Sequence, residues 1–518
     1  MSKQKQFYDV INSGYSCKGD YLLLGNAMLE GESIKGAHVK IPLKTLNRHG
    51  LIAGATGTGK TKTLQVISEQ LSLHGVPVLM MDLKGDLSGL AMPGVEKDFI
   101  KDRHDKLGFP YEPMAMPVEL MTLSNEKGVR LRSTITEFGP VLLSKLLELN
   151  DTQSGVVSLA FKYCDDHDMP LIDLKDFKKI LQFLISEGKE ETTAEYGSIS
   201  STSVNTIIRK IIELEQQGAD QFFGEPSFEI DDLVRKDSSG KGYISIIRLT
   251  DIQDRPRLFS TFMLGMLAEV YASFPEKGDL QKPELVIFID EAHLVFNEAS
   301  KALLEQIEAI VKLIRSKGVG VFFCTQNPAD IPDDILGQLG LKVQHALRAF
   351  TAMDRKEIKQ TAENYPLSDF YKTDEVLTSL GIGEALVTAL NEKGIPTPLA
   401  ATYLRAPVTR MDILEPAELE NLVSNSALVR KYQQTIDAHS AYEILQDKIR
   451  YARQPEHQER LMQERNYQGP VRKEKSTLES LTKNTMVRQV GRTLVRELTR
   501  GLLGAMGVSA SSRRTRRR

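Results

Sequence analysis

The stretch Gly54-Ala55-Thr56-Gly57-Thr58-Gly59-Lys60-Thr61 is the strongest local signal in this sequence. It has the form of a phosphate-binding loop, in which two glycines five residues apart are followed by Lys and then Ser or Thr. Gly57 and Gly59 lack a Cβ, so the backbone can turn its N–H groups toward an anion. Lys60 supplies a charge for the β- and γ-phosphates, and Thr61 offers a hydroxyl to Mg²⁺. The stretch therefore predicts a site for a nucleoside triphosphate and Mg²⁺.

The residues around this loop have the pattern of a strand, a helix and a second strand. Residues 51–53 are apolar, and residues 61–74 carry apolar side chains at helical spacing. A helix that begins at the loop adds its dipole to the phosphate site. Residues 76–82 are a continuous apolar run that ends in Asp82, which is typical of a parallel strand buried on both faces. The three segments predict a right-handed βαβ unit with Asp82 at the ligand-binding edge of the sheet.

The same alternation returns after residue 242. Apolar runs at residues 243–249, 285–289 and 319–324 are separated by helical patterns near residues 258–274 and 303–314. Alternating strands and helices predict an α/β fold, a doubly wound sheet.

Changes in composition divide the chain. We expect a short strand-rich segment at 1–48, the α/β core at 49–410, and within it a mostly helical insertion at 91–242. Two roles are open for the insertion, as a lid over a substrate or as an appendage that packs on the sheet. Residues 411–470 are predicted to be helical and highly charged, and residues 471–518 a basic amphipathic helix with a disordered Arg-rich end.

Charge is distributed unevenly along the 518 residues, whose formal net charge is −3. Residues 471–518 carry 13 Lys and Arg against 3 Asp and Glu, a net charge of +10, which leaves −13 on the remainder. This basic tail predicts binding to an anionic membrane surface, an acidic protein or nucleic acid. Docking of the tail on the acidic remainder is the alternative.

The expected location is the cytoplasm. The three cysteines, Cys17, Cys164 and Cys324, are far apart and odd in number, which indicates a reducing compartment and neither a disulfide framework nor a zinc site. The N-terminus lacks an apolar signal core, and no apolar run approaches 18 residues. The basic tail is compatible with peripheral attachment to a membrane or to the nucleoid.

Two further strand ends carry residues suited to hydrolysis. Asp290 and Glu291 follow an apolar run, where the aspartate would hold Mg²⁺ and the glutamate would orient and deprotonate the attacking water. Gln326 ends the next predicted strand, where its amide could contact both the γ-phosphate and the metal-bound water. Arg315 lies between them at a helix end, either as a donor to a transferring phosphoryl group or as a cation that complements the helix dipole.

Taken together, these motifs resemble those of the HerA/FtsK superfamily of P-loop motor ATPases. The resemblance extends over most of residues 10–500 and is closest to the bacterial HerA-like ATP-binding proteins. The N-terminal segment is shorter than the strand barrel of archaeal members, and the tail is not the winged helix of the cell-division branch. The motifs that carry the resemblance are the phosphate loop, Arg48-His49-Gly50-Leu51-Ile52, Met81-Asp82-Leu83-Lys84-Gly85-Asp86, Ile289-Asp290-Glu291-Ala292-His293 and Cys324-Thr325-Gln326-Asn327-Pro328.

This resemblance implies a RecA-like core, a hexameric ring and ATP sites between subunits. It implies catalytic roles for Lys60, Glu291 and Gln326, an arginine finger at Arg315, and metal contacts from Thr61 and Asp290. The expected nucleotide contacts are Arg48, Gly54, Ala55, Thr56, Gly57, Thr58, Gly59, Lys60, Thr61, Thr63 and Asp82.

Three functions are compatible with these observations. The first is a ring-forming, Mg²⁺-dependent ATPase that translocates or remodels duplex DNA. The second is an ATPase that acts on a protein or membrane-associated assembly through the basic tail. The third is an ATP-dependent phosphotransferase, in which Glu291 would activate an acceptor other than water.

Overall fold

The computed structural model describes residues 2–124, 126–252, 255–278, 280–297, 301–436 and 439–452. The chain divides into two compact units. The core unit comprises Met1–Leu131 and Phe228–Gln433, and the helical unit comprises Arg132–Ser227 and the residues from Gln434 onward. The predicted basic tail, 471–518, and the predicted charged helical segment beyond residue 452 lie outside the described residues.

The bounds of the regular elements are as follows. In the described part of the chain the strands are β1 (Tyr21–Leu29), β2 (Glu32–Pro42), β3 (Gly50–Ala53), β4 (Val78–Asp82), β5 (Val118–Thr122), β6 (Val129–Arg130), β7 (Ile244–Arg248), β8 (Leu285–Ile289), β9 (Val319–Thr325), β10 (Leu341–His345), β11 (Glu384–Thr388) and β12 (Ala400–Leu404). Over the same residues the helices are α1 (Lys3–Gly14), α2 (Lys60–Leu73), α3 (Asp98–Leu107), α4 (Ile135–Leu146), α5 (Asp151–Asp166), α6 (Leu174–Ile185), α7 (Lys189–Tyr196), α8 (Ser201–Gln216), α9 (Pro256–Ser273), α10 (His293–Asn297), α11 (Lys301–Ile314), α12 (Asp333–Leu336), α13 (Ala352–Glu363), α14 (Thr373–Ser379), α15 (Pro416–Ser424), α16 (Ala427–Tyr432) and α17 (Ala441–Ala452).

One sheet organises the core unit. Its strand order is β2-β1-β12-β11-β10-β3-β9-β8-β4-β7-β5-β6. The eight strands from β10 to β6 are parallel, whereas β11, β12, β1 and β2 pair antiparallel. The α/β fold class expected from the sequence is thus confirmed, as a large and mostly parallel sheet with many helices.

The central strands are apolar because both faces of the sheet are covered. Every residue of β3, β4, β8 and β9 is buried. Phe288 of β8 and Phe322 of β9 pack with ring centroids 5.1 Å apart. A parallel sheet buried in this way holds its strand ends in fixed positions, so residues at the carboxyl edge have little freedom to move.

The N-terminal segment contains more than the expected strands. Helix α1 precedes them, and it buries Phe7 and Ile11 against the core. Strands β1 and β2 extend the antiparallel side of the sheet, because β1 pairs with β12. Residues 1–48 therefore belong to the same compact unit as the parallel strands.

The observed unit boundaries also differ from the expected insertion, 91–242. Strands β5 and β6 fall within that range but belong to the sheet of the core unit. The apolar pattern of β5 is interrupted by Glu119, which is buried and pairs with Arg235 at 3.0 Å. A charged residue inside a short strand obscures its pattern, so this segment could not be distinguished from its helical surroundings.

The helical unit consists of α4 to α8 together with α17. Helix α6 begins with a capping box between Asp173 and Asp176. The Asp176 carboxylate also accepts hydrogen bonds from the Tyr442 N–H at 2.8 Å and from the Ser440 hydroxyl. These bonds attach the start of α17 to α6, although the two helices are far apart in sequence.

None of the helices in the described part of the chain is both long enough and apolar enough to cross a membrane.

Candidate active site

The phosphate loop connects the carboxyl end of β3 to the first turn of α2. Gly54 has φ +150°, and a Cβ there would lie 2.5 Å from the Cβ of His345. Gly59 has φ +112° and precedes the first residue of α2. A side chain at Gly54 would contact His345, and the positive φ angles of Gly54 and Gly59 disfavour a side chain at either position. The loop is therefore free to curl around an anion at the N-terminus of α2.

Lys60 lies inside this loop, where 9% of the residue is exposed. Its Nζ donates hydrogen bonds to the carbonyl oxygens of Gly54, at 2.7 Å, and Ala55, at 3.2 Å. Burial lowers the pKa of Lys60, and the nearby Lys84 lowers it further. A phosphate group would supply the negative charge that this buried ammonium lacks, so the cradle fits the anion predicted from the sequence.

Three aspartates converge at the same edge of the sheet. One carboxylate oxygen each from Asp82, Asp86 and Asp290 lies within 4.8 Å of the other two. The Thr61 hydroxyl donates to an Asp86 oxygen at 3.3 Å. A hard divalent cation such as Mg²⁺ prefers carboxylate, hydroxyl and phosphate oxygens. The donor set fits Mg²⁺, with Thr61 and Asp290 as first candidates and Asp82 and Asp86 beside them.

Burial disfavours the charged forms of two of these aspartates. It raises the pKa of Asp290 to about 7, an effect increased by the charge of Glu291. It raises the pKa of Asp82 to about 6, although the Asp82 carboxylate accepts N–H bonds from Gly85 at 2.7 Å and Leu87 at 3.2 Å. A metal ion bound at this edge would favour the charged forms of both aspartates.

Glu291 follows Asp290 and has three polar neighbours. It forms an ion pair with Lys84, its Oε2 lies 3.1 Å from His293 Nδ1, and Gln326 Nε2 donates to it at 3.4 Å. Burial alone would raise the pKa of Glu291, but the interactions with Lys84, Gln326 and His293 outweigh it, so the pKa is lowered. Glu291 also has φ +47°, an uncommon conformation for a residue with a side chain. Its carboxylate is therefore held ionised at a defined place, as a general base must be.

The structure does not bring every predicted residue to the loop. Arg48 directly precedes His49 and β3, and Arg315 lies in the turn before β9, so both are at the amino edge of the sheet. Burial lowers the pKa of His49, at the same edge, to about 4, and the charge of Arg315 makes a smaller contribution in the same direction. Thr63 is buried, and its hydroxyl lies 2.9 Å from His345 Nε2. Arg48 and Arg315 thus lie at the edge opposite the phosphate loop of the same chain, whereas Thr63 contacts His345.

Three other residues of the site were not assigned a role from the sequence. Lys84 and Asp86 lie in the loop after β4, and the pattern of charged residues directly after a buried strand was the available signal. His345 ends β10 and packs under the loop through Gly54 and Thr63. Its position depends on the pairing of β10 with β3, which no local pattern indicates.

The parallel sheet, the phosphate loop and the acidic strand end next to it define a P-loop NTPase core. Residues 27–513 match the protein family described as helicase HerA-like C-terminal. The chain belongs to this family, and the resemblance noted in its motifs is confirmed.

The relatives are distant. A protein named DNA double-strand break repair helicase HerA, from Sulfolobus acidocaldarius, is 22% identical over 362 residues, which cover 69% of this chain and 66% of that protein. VirB4 of Thermoanaerobacter pseudethanolicus has 16% identity and a TM-score of 0.48, covering 78% of this chain and 99% of its own. The plasmid coupling protein TrwB, in complex with ADP and Mg²⁺, has 14% identity and a TM-score of 0.47, with coverages of 77% and 98%.

The raised pKa values predict how Mg²⁺ binding depends on pH. Asp82 and Asp290, with pKa values of about 6 and about 7, must lose their protons before they bind a cation. Because their folded pKa values exceed the unfolded ones, both groups destabilise the metal-free fold progressively as the pH rises from about 4 to about 7. We therefore expect MgCl₂ to raise the Tm more at pH 8 than at pH 5.5, in thermal unfolding followed by circular dichroism.

The double variant Asp82→Asn/Asp290→Asn is the control, and it should respond little to MgCl₂ at either pH. An equal Tm shift at both pH values in the unmodified protein would contradict this assignment of the metal ligands.

Proposed function

We propose that this chain is an ATPase that assembles into a ring and couples ATP hydrolysis to translocation or remodelling of DNA. The observation that carries the proposal is the placement of Asp290 and Glu291 at the carboxyl end of β8, at the same edge as the phosphate loop. A metal-binding carboxylate beside a separate ionised carboxylate suits hydrolysis, since one can hold the cation while the other accepts a proton from water.

The residues of one subunit supply most of the chemistry. The loop N–H groups and Lys60 would bind and orient the β- and γ-phosphates, and Thr61 with the aspartates would hold Mg²⁺, which would neutralise charge on the phosphates. Glu291 accepts the proton of the attacking water. The contact of Gln326 with Glu291 supports a role for its amide in holding that water near the carboxylate. This division of roles supports hydrolysis more directly than transfer to another acceptor.

The ring is proposed because Arg315 and Arg48 lie far from the phosphate loop of their own subunit. Arg315 is exposed at the amino edge, and Arg48 is half-buried at the same edge, while the loop and the aspartates lie at the carboxyl edge. A guanidinium at the amino edge can reach a nucleotide only in a neighbouring subunit. Head-to-tail contacts that repeat in this way close into a ring when the rotation between subunits closes. Arg315 is the proposed arginine finger and Arg48 a second contact of the same kind.

DNA is proposed as the substrate because the relative from Sulfolobus acidocaldarius is named a DNA repair helicase. The uneven charge of this chain favours a second candidate, an ATPase that acts on a protein or membrane-associated assembly. Residues 471–518 carry a net charge of +10 in a chain with a net charge of −3, and such a tail binds anionic surfaces of several kinds.

Removal of the general base should separate nucleotide binding from turnover. In Glu291→Gln the metal ligand Asp290 remains but no carboxylate accepts the proton, so we expect ATP to bind with unchanged affinity. Turnover should fall at least about a hundredfold. Lys60→Ala should lose productive binding. Phosphate release and a fluorescent-nucleotide titration measure the two properties, and turnover at the unmodified rate in Glu291→Gln would exclude this residue from the mechanism.

Subunit mixing tests the arginine finger. Arg315→Ala should bind ATP and assemble, but hydrolyse about 10³-fold or more slowly if its guanidinium acts on the transferring phosphoryl group. When Arg315→Ala is mixed with Lys60→Ala, an intact Lys60 site can meet an intact Arg315 from the next subunit. We expect partial recovery of phosphate release in the mixture. A fully active Arg315→Ala protein, or an active monomer in analytical ultracentrifugation, would contradict the role.

Turnover with different additives distinguishes the two candidate functions. If DNA is the substrate, duplex DNA should raise the rate of phosphate release severalfold, and the effect should decrease at high salt because phosphate contacts dominate such binding. Anionic liposomes should have no effect. Stimulation by liposomes but not by duplex DNA would instead support the second candidate.

A further inference from the structure

A short turn lies directly against the phosphate loop. Residues 380–383 connect α14 to β11, and the Gly383 N–H donates a 3.1 Å hydrogen bond to the carbonyl oxygen of Thr58 in the loop. A Cβ at Gly59 would lie 3.3 Å from the Gly383 nitrogen. The turn is therefore part of the wall of the nucleotide site, although nothing in its own sequence marks it as such.

The turn is held rigidly on its other side by Arg103 of α3. Arg103 Nη1 donates to the carbonyl oxygens of Gly383, at 3.0 Å, and Leu404, at 2.9 Å, while Nη2 donates to that of Ile382 at 3.0 Å. The guanidinium also lies over the Tyr403 ring, with its Cζ 4.2 Å from the ring centroid. A planar guanidinium with three such bonds fixes the turn in one position and leaves few donors for a ligand.

Ile382 is presented to solvent by this rigid turn. It is 72% exposed, whereas Leu380 at the start of the turn is only 4% exposed. Because the backbone holds this aliphatic side chain outward, its apolar surface stays in contact with water in the free protein and can be buried by a ligand. The turn is already ordered, so little conformational entropy is lost when the ligand binds.

The strand order determines which part of a nucleotide lies near the turn. On one side of β3 lie β9, β8 and β4, which end at Gln326, Glu291 and the aspartates. On the other side lie β10 and β11, and the turn begins β11. The γ-phosphate must lie on the acidic side, where the metal ligands and Glu291 are. The base is at the opposite end of the nucleotide and therefore lies toward the turn.

We propose that Ile382 forms one face of the site for the nucleotide base. Because the side chain is aliphatic and the donors of Arg103 are engaged, this face contacts the base without hydrogen bonds to its edge. It should therefore bind adenine and guanine with about equal affinity. Most of the selectivity among ligands would then come from contacts with the phosphates. The inference rests on the proposed nucleotide site, and it adds to that site a specific residue that is not part of the phosphate-binding motifs.

The test compares two isoleucines in the full-length chain. Ile382→Ala removes the proposed contact, and Ile212→Ala is the matched control, because Ile212 is also exposed, at 43%, but lies on α8 of the helical unit. Isothermal titration calorimetry with Mg²⁺ measures the Kd of each variant for a non-hydrolysable ATP analogue, the corresponding GTP analogue and inorganic tripolyphosphate. Tripolyphosphate reports on the phosphate site alone because it has no base.

We expect Ile382→Ala to weaken both nucleotides to a similar extent, roughly fivefold to thirtyfold for an aliphatic side chain of this size. Tripolyphosphate affinity should be unchanged, and the affinity of Ile212→Ala should be unchanged for all three ligands. Ile382→Met, which keeps an apolar side chain, should retain nucleotide affinity within about threefold.

Unchanged nucleotide affinity in Ile382→Ala would place the base elsewhere and overturn the proposal, as would an equal loss for tripolyphosphate. A preference above tenfold for one analogue in the unmodified protein would show polar recognition of the base, against the proposal. The Lys60→Ala variant separates this result from the proposed function itself. If tripolyphosphate binding survives in Lys60→Ala, the phosphate site is wrongly assigned, whatever the behaviour of Ile382.

Discussion

The burial of negative charge at the carboxyl edge of the sheet is the constraint on which the site depends. Asp82 and Asp290 end neighbouring strands whose residues are buried along their whole length. Burial raises the pKa of both, so the protein retains carboxyl groups where their charged form is disfavoured. A cation beside these carboxyl groups would favour their charged forms. Lys60 and Lys84 provide part of this positive charge, and a divalent metal ion would provide the rest.

The positions of these groups follow from the rigidity of the strands that carry them. The loop, the aspartates, Glu291 and Gln326 all lie at or directly after strand ends, and the strands between β10 and β7 are held by parallel pairing in continuous register. Catalytic groups need placement within a fraction of an ångström. A buried parallel sheet provides it without further support, whereas the loop after β4 is ordered by the Asp82 carboxylate itself, through bonds to Gly85 and Leu87.

The residues on the acidic side of the candidate site are each marked in the sequence by a local pattern. A glycine-rich loop after an apolar run, or two acids after another, can be recognised within about ten residues. The other side of the site is formed by His345, Arg103 and the turn at 380–383. Strand order and long-range contacts bring these residues together. Arg103 and Gly383, for example, are hydrogen-bonded although 280 residues separate them in sequence. Composition does not identify a strand such as β5, in which the charged residue Glu119 is buried in an ion pair. The boundaries of the two units therefore could not be predicted from the sequence.

The two edges of the sheet keep Arg48 and Arg315 apart from the phosphate loop of the same chain. Strand β3 has four residues, which span about 13 Å from Arg48 and His49 at its start to the phosphate loop at its end. The buried sheet is rigid, so this distance is fixed. Arg315, in the turn before β9, lies at the same end of the sheet as Arg48. If Arg48 or Arg315 contacts a nucleotide, as proposed above, that nucleotide would therefore have to be bound by another molecule. That requirement would couple hydrolysis in each subunit to the position of its neighbour, so that movement between subunits and phosphate chemistry become one process.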